Sequence, residues 1–136
     1  MKTSELRIGN YLKKDDKVLK ISGATKWVVF LEHGFQVFVP EMFVAGGVAP
    51  IPLTEDWLPR FGFKVDEDKG FDCALDTYHK VYSLNEFNVA IINDKFRLWI
   101  EVEEDKYYSF AWTVIEYVHQ LQNLFYALKR EELELK

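Results

Sequence analysis

The feature that most constrains the fold is an apolar stripe near the end of the chain. Its members step by three or four residues, as one face of an α-helix does: Ile115, Val118, Leu121, Phe125 and Leu128. Leu124 widens this face, and the pattern predicts a helix from about Trp112 or Thr113 to about Glu132. A helix that is apolar on one side must bury that side against another element. The rest of the chain must therefore supply an apolar surface.

The segments before this helix have the alternation of β-strands that are covered on one side. Residues 96–102 alternate apolar and polar side chains, and two further strands are indicated at 78–84 and 87–93, joined by short turns. We predict an antiparallel meander whose apolar face is covered by the C-terminal helix. The covered face is formed by Phe96, Leu98 and Ile100.

The first third of the chain has the short strands of a small β-barrel. Apolar and polar residues alternate over 6–12, and further strands are indicated at 18–21 and 27–31. A tight reversal then leads into a strand that ends at Pro40, because proline cannot donate a hydrogen bond to a neighbouring strand. This spacing predicts an SH3-like small barrel or a similar curled sheet. The expected fold class is therefore α+β.

A connector rich in glycine and proline separates two parts of the chain. Residues 45–52 contain two glycines and two prolines, which interrupt regular structure. We predict a small β module at residues 1–49. Residues 50–136 are expected to pack as one compact domain that contains a short helix, the meander and the C-terminal helix. The short helix is expected to begin at Thr54 and to end at Gly62.

Composition argues for a folded chain with an uneven charge. Hydrophobic residues make up 49% of the 136 residues, which is ample for a core. Residues 1–53 carry 7 Lys/Arg against 5 Asp/Glu, and residues 54–136 carry 10 against 17. The acidic second part disfavours nucleic acid as a partner, since phosphate binding needs Lys and Arg. Five lysines keep weak nucleic-acid binding open for the first part: Lys13, Lys14, Lys17, Lys20 and Lys26.

The sequence also carries expectations about the cellular compartment. A single cysteine, Cys73, excludes an internal disulfide, and the first residues lack the apolar core of a secretion signal. The longest apolar run, residues 27–31, is far shorter than the roughly 20 residues that span a bilayer. We therefore expect a cytoplasmic protein that does not associate with membranes.

Hydrogen-bonding side chains beside the apolar stripe form the first candidate site. His119 and Asn123 are four residues apart and share a helix face, and Gln120 and Gln122 lie next to them. Imidazole and amide groups in this arrangement can bind the polar groups of a ligand or partner. The alternative is a solvated helix face. The first interpretation makes His119, Gln120 and Asn123 candidate binding residues.

Aromatic side chains form the second candidate site. Trp57, Arg60 and Trp99 belong to a set that could stack on a base or anchor a partner peptide. Trp99 stands out because its strand neighbours on the same face are charged. The alternative is that these rings are core residues, as most aromatic residues are in so aromatic a chain.

No catalytic or metal-binding pattern is evident in the sequence. Asp72, Cys73, Asp76 and His79 could converge on a metal only within a helix, and no second ligand pair accompanies them, so Cys73 is better interpreted as a core residue. Gly46-Gly47 is not followed by the Lys-Ser/Thr of a phosphate-binding loop. We therefore expect a protein that is not an enzyme and uses neither metal nor cofactor.

Three segments resemble a family of small uncharacterised proteins of gut-bacterial phages and prophages. They are Glu5–Asn10, Pro50–Phe63 and Tyr117–Leu128, about a quarter of the chain. In that family the two longer segments read PIPLTEEWLLKFGF and VHQLQNLYFALTGEEL. This chain departs from the pattern at Pro59 and at Lys129-Arg130, where the family has the Thr-Gly that would stop the helix.

The resemblance implies a phage-linked accessory role in a bacterial cytoplasm and implies no substrate. Small size, acidic charge and aromatic richness then predict a non-enzymatic protein that binds a bacterial or phage protein, with inhibition of that partner as one outcome. A protein that binds or sequesters a nucleotide-like small ligand through His119 and Asn123 is the alternative. A weak nucleic-acid-binding module is the second alternative.

Overall fold

The structure is a computed structural model, and it describes residues 6–38, 48–66, 71–72, 77–78, 80–103 and 106–136. The predicted α+β fold class is confirmed, with a curled four-stranded half-barrel sheet, a second sheet and a C-terminal helix. The chain divides into two compact units, Met1–Pro52 with Tyr117–Leu133 and Leu53–Glu116 with Glu134–Lys136. The predicted strand end at Pro40 and the glycines of the connector, Gly46 and Gly47, lie outside the described residues.

The first unit contains the curled sheet. Its strands are β1 (Tyr11–Lys14), β2 (Lys17–Ala24), β3 (Val28–Leu31) and β4 (Gln36–Phe38), which pair in this order and antiparallel. A short 3₁₀ turn, Glu32–Gly34, joins β3 to β4 and has positive φ at His33 and Gly34. The strands form because alternate residues are apolar and pack on one side of the sheet. That core consists of Leu12, Leu19, Ile21, Val29, Leu31, Val37 and Val48.

The second unit contains the meander. Its strands are β5 (Lys64–Val65), β6 (Phe71–Asp72), β7 (Thr77–Tyr78), β8 (Lys80–Leu84), β9 (Phe87–Ile92), β10 (Lys95–Glu103) and β11 (Lys106–Ile115). The main sheet has the order β11-β10-β9-β8-β5, and β6 pairs with β7. Asn85, Asn93 and Asp94 adopt positive φ in the hairpin turns, a conformation that Asn and Asp tolerate. The predicted meander is thus confirmed, with strand bounds shifted by one or two residues.

The short helix of the second unit is α1 (Trp57–Arg60). Its N-cap is Asp56 rather than the predicted Thr54, and no side-chain cap is present. Pro59 costs the helix no hydrogen bond, because the first-turn N–H groups have no partner within a helix. Gly62 stops the helix as predicted, with φ 96 and its N–H bonded to the Pro59 carbonyl at 2.9 Å.

The C-terminal helix, α2 (Val118–Lys129), begins later than predicted. Residues 113–115 belong to β11 instead, because Ile115 pairs with Phe96 at the edge of the meander. The helix ends at Lys129, before the predicted end near Glu132. Arg130 takes the left-handed conformation, with φ 61 and its N–H bonded to the Tyr126 carbonyl at 2.7 Å. A non-glycine residue in this conformation costs roughly 1–2 kcal/mol.

The C-terminal helix is grouped with the first unit, where the Val118 N–H donates to the Ile51 carbonyl at 2.9 Å. Val118, Leu121 and Phe125 are buried as the stripe requires, whereas Leu128 is 39% exposed. The apolar stripe therefore predicted the burial of these three side chains. The predicted cover of the meander by this helix, and the predicted domain of residues 50–136, stay predictions.

Candidate functional site

The polar face of α2 is not a solvated surface. His119 and Gln122 are both fully buried, which excludes the solvated alternative for these two side chains. The His119 ring stacks on Tyr117, with ring centroids 5.7 Å apart and an interplanar angle of 15°. Gln120 is half-buried, and its Oε1 accepts the Tyr117 N–H at 3.1 Å, which satisfies a backbone donor at the start of the helix.

Gln122 joins the helix to the start of the curled sheet through both ends of its amide. Its Oε1 accepts the Tyr11 N–H at 3.0 Å. Its Nε2 donates to the Gly9 carbonyl at 2.9 Å and to the Leu133 carbonyl at 3.3 Å. One buried side chain thus satisfies three backbone groups from two segments that are far apart in sequence.

Asn123 extends this network beside Gln122. Its Oδ1 accepts from Asn10 Nδ2 at 2.9 Å and from Arg7 Nε at 3.2 Å. Asn10 is itself fully buried, and its Oδ1 accepts the Arg7 N–H at 2.7 Å. We call the three amide side chains of Asn10, Gln122 and Asn123 the amide cluster. Their hydrogen bonds run within the first unit.

The Arg7 guanidinium closes the outer side of the amide cluster. It pairs with Glu132 through two oxygens and lies 4.2 Å from the ring centroid of Tyr126. Gly9, with φ 97, allows the chain to turn here, and a Cβ at this position would lie 3.0 Å from a Glu132 carboxylate oxygen. The cluster therefore holds the segment before β1 against α2, and its geometry is that of a structural contact.

Of the aromatic candidates, Trp57 belongs to the core of the second unit. Trp57 is buried, and its ring centroid is 5.6 Å from that of Phe61. The exposed Arg60 lies over Trp57, with its guanidinium carbon 4.3 Å from the ring centroid. The Trp99 backbone pairs with Asn88 in the meander, and its side chain lies outside the described residues. Trp57 and Arg60 thus lie in the second unit, and the helix candidates lie in the first.

A cluster of Glu55, Lys80 and Tyr82 in the second unit is absent from the sequence predictions. The Tyr82 hydroxyl donates to Glu55 Oε1 at 2.5 Å, and the Lys80 ammonium pairs with the same oxygen. The hydrogen bond from Lys80, followed by that from Tyr82, holds the pKa of Glu55 below its ordinary value. The Glu55 hydrogen bond likewise raises the pKa of Lys80. The available signal was the spacing of Lys80 and Tyr82, which places both on one face of β8.

The acidic and sulfur candidates lie largely outside the described part of the chain. Cys73, Asp76 and His79 lie outside the described residues, as does the side chain of Asp72. Among the residues that are described, no group of three or more His, Cys, Asp or Glu side chains could hold a metal ion. Within the same residues, no helix is both long enough and apolar enough to cross a bilayer.

The most exposed large apolar side chain in the described residues is Trp27, at 63%. It lies in the turn between β2 and β3, where Thr25 Oγ1 accepts the N–H groups of Trp27 at 3.3 Å and Val28 at 3.1 Å. The Lys26 ammonium lies 5.1 Å from its ring centroid. The sequence pattern predicted a strand at residues 27–31, in which Trp27 would share a face with Val29 and Leu31. Both of these residues are buried. Because β3 begins at Val28, the turn removes Trp27 from that buried row.

No family model, curated protein or solved structure matches this chain.

Proposed function

We propose that the chain is a non-enzymatic accessory protein of phage or prophage type, which binds a bacterial or phage protein in the bacterial cytoplasm. The observation that carries this proposal is the exposed Trp27 ring on an ordered turn of the curled sheet. The resemblance of the Pro50–Phe63 and Tyr117–Leu128 segments to phage-encoded proteins supports the biological setting. Inhibition of the partner would follow if the docked surface is one that the partner uses.

An exposed tryptophan on an ordered turn suits protein recognition for two reasons. Tryptophan is enriched among the few residues that carry most of the energy of protein interfaces. The two hydrogen bonds to Thr25 also fix the turn before binding, which lowers the entropy lost when a partner docks. Phe30, 37% exposed on the adjoining strand, adds apolar area next to this turn.

The small-ligand alternative has less support. It relied on His119 and Asn123, but His119 is buried and Asn123 accepts hydrogen bonds from Asn10 and Arg7 within the first unit. A ligand would have to compete with these internal bonds. The cost of leaving buried polar groups unsatisfied, about 1–3 kcal/mol each, opposes such an exchange.

The test is quantitative capture of proteins from bacterial lysate by the full chain and by two variants. Trp27→Ala removes the exposed ring, and Leu128→Ala removes a 39% exposed apolar side chain from α2 as the matched control. We expect a reproducible protein that wild type and Leu128→Ala retain and that Trp27→Ala loses. Equal capture by all three proteins, or no reproducible capture by wild type, would contradict the proposal.

A further inference from the structure

We propose that the partner binds the first unit through an extended acidic segment that carries an apolar side chain. The docking surface is the outer face of the curled sheet together with the turn that bears Trp27. We define the outer face by Lys13, Val18, Lys20 and Phe30. This inference rests on the proposed function and specifies the chemistry of the partner.

The register of the sheet separates the outer face from the core. Leu12 pairs with Leu19, and both are buried. The next pair along the two strands, Lys13 with Val18, therefore points to the opposite side. Because side chains alternate along a strand, Lys20 shares the side of Val18. There it is half-buried, with its ammonium 5.9 Å from the ring centroid of its buried pairing partner Tyr11.

The apolar part of the docking surface lies at the β2–β3 end. Phe30 pairs with Gly23, and a Cβ built on Gly23 would lie 3.6 Å from the Phe30 ring. The ring thus lies above a residue that has no side chain of its own. Trp27, in the turn that joins these strands, is 63% exposed, whereas Val18, which is 36% exposed, lies at the other end of β2. Exposed apolar groups rimmed by charged ones are typical of protein interaction sites.

The charge of the curled sheet favours an acidic partner. Residues 11–38 carry five lysines against three acidic residues, a net charge of +2. Lys13 and Lys20 lie on the outer face, and Lys26 lies beside Trp27. The acidic residues are Asp15 and Asp16 in the β1–β2 turn and Glu32, whose Oε1 accepts the Lys20 N–H at 2.6 Å.

The two units also differ in total charge. The first unit carries nine Lys and Arg against seven Asp and Glu, a net charge of +2, and the second carries eight against fifteen, a net charge of −7. An acidic segment is therefore attracted to the first unit.

A protein segment fits this surface better than a nucleic acid does. Nucleic-acid affinity grows with the number of phosphates neutralised, and the three lysines named above could neutralise about three. The net charge of −5 of the whole chain also opposes the approach of a long polyanion. A short acidic segment needs only a few lysines, because its apolar side chain adds contact with Trp27 and Phe30.

The experiment is an NMR titration of the full ¹⁵N-labelled chain with three probes. The first is a twelve-residue peptide in which leucines are spaced among glutamates. The second is the same peptide with glutamine in place of every glutamate, and the third is a ten-nucleotide oligothymidylate. We expect the acidic peptide to shift amides between residues 13 and 30, and to lose at least tenfold in affinity when salt is raised from 50 to 500 mM.

Two variants and one matched control locate the binding surface. Trp27→Ala should weaken binding of the acidic peptide by about tenfold or more. The double variant Lys13→Gln with Lys26→Gln should weaken it by about two- to tenfold, as expected for exposed charges. Lys64→Gln with Lys95→Gln, which changes the net charge equally in exposed residues of the second unit, should leave it unchanged.

Several results would overturn the inference. They are the absence of shifts at residues 13–30, equal binding of the glutamine peptide, and tighter binding of the oligothymidylate, which would assign the surface to nucleic acid. The proposed function fails separately. Partner capture that depends on Trp27 but not on Lys13 and Lys26 would refute the acidic partner and keep the proposed function. Binding of the acidic peptide without any protein captured from lysate would refute the proposed function and keep the specificity of the surface for acidic segments.

Discussion

Replacing Gln122 with methionine should destabilise the first unit strongly. Methionine has nearly the same volume as glutamine, so Gln122→Met removes the amide and leaves the packing almost unchanged. The Tyr11 N–H and the carbonyls of Gly9 and Leu133 then lose the partners that Gln122 provides at 2.9–3.3 Å. These groups lie where the helix meets the start of β1, so solvent cannot readily replace the lost bonds.

The magnitude follows from the cost of unsatisfied buried groups. A buried donor without a partner costs about 1–3 kcal/mol, and a carbonyl that loses one of two acceptor sites costs less. We therefore expect Gln122→Met to lower the free energy of unfolding by about 2–4 kcal/mol. For a chain of this size, that corresponds to a fall in Tm of roughly 6–12 °C.

The assay is urea unfolding followed by circular dichroism, with Gln36→Met as the matched control. Gln36 is exposed on β4, so the same substitution there should change stability by less than about 0.5 kcal/mol. The slope of the unfolding transition should be shared by all three proteins, which shows that stability and not compactness has changed. A Gln122→Met variant within 0.5 kcal/mol of wild type would refute the structural role of the amide cluster.

Three further predictions concern charge and backbone conformation. Gln122→Glu should destabilise the protein most at neutral pH, because the carboxylate oxygen that replaces Nε2 would face the Gly9 and Leu133 carbonyls. Burial would raise the folded-state pKa of the new carboxyl, so the variant should regain stability as pH falls. A loss of stability that is constant between pH 4 and 8 would contradict this prediction. Gly9→Ala should lower the free energy of unfolding in urea by more than about 1 kcal/mol, since the φ of Gly9 is 97 and the new Cβ would lie 3.0 Å from a Glu132 carboxylate oxygen. An unchanged free energy of unfolding would contradict that geometry. Lys80→Met should raise the pKa of Glu55 toward its ordinary value in a ¹³C NMR titration. Because the folded-state pKa of Glu55 is lowered, its stabilising effect is present at neutral pH and disappears on acidification. A titration of Glu55 that is unchanged in the Lys80→Met variant would contradict the ion pair.

The sheets could be predicted from the sequence because their pattern is local. Residues 96–102 alternate in polarity, and the observed strand is Lys95–Glu103. The turns were marked by residues that tolerate positive φ, such as Asn93 and Asp94. Each of these signals lies within a few residues of the element that it specifies, so a single sequence contains all of it.

The hydrogen bonds that α2 makes within the first unit could not be predicted, because an apolar stripe specifies burial and not the element on which the helix packs. Both sheets offer an apolar face, and Val118 or Leu121 could pack on either. The polar side chains carry the missing information, since Gln122 bonds to Tyr11 across 111 positions of sequence and Asn123 to Asn10 across 113. Such pairs have no local signature. Asn123 was predicted to bind a ligand because the sequence does not reveal that Asn10 and Arg7 already bond to it.

The exposure of Trp27 was also not predicted from the sequence, for a different reason. Its side chain belongs by alternation to the buried row of Val29 and Leu31. However, β3 begins at Val28, one residue later than predicted, so the Trp27 side chain is exposed and not buried. Strand bounds are the least certain part of a prediction from sequence, and here one residue decides between core and surface.

The most direct test of the proposed binding surface is amide hydrogen exchange of the full chain, alone and with the protein that it captures from lysate. We predict that binding protects the segment from Lys17 to Leu31, which contains β2, the Trp27 turn and β3, and leaves exchange in Val118–Lys129 unchanged. Protection confined to that helix, or to Trp57–Arg60, would contradict the assignment of the binding surface to the Trp27 face of the first unit.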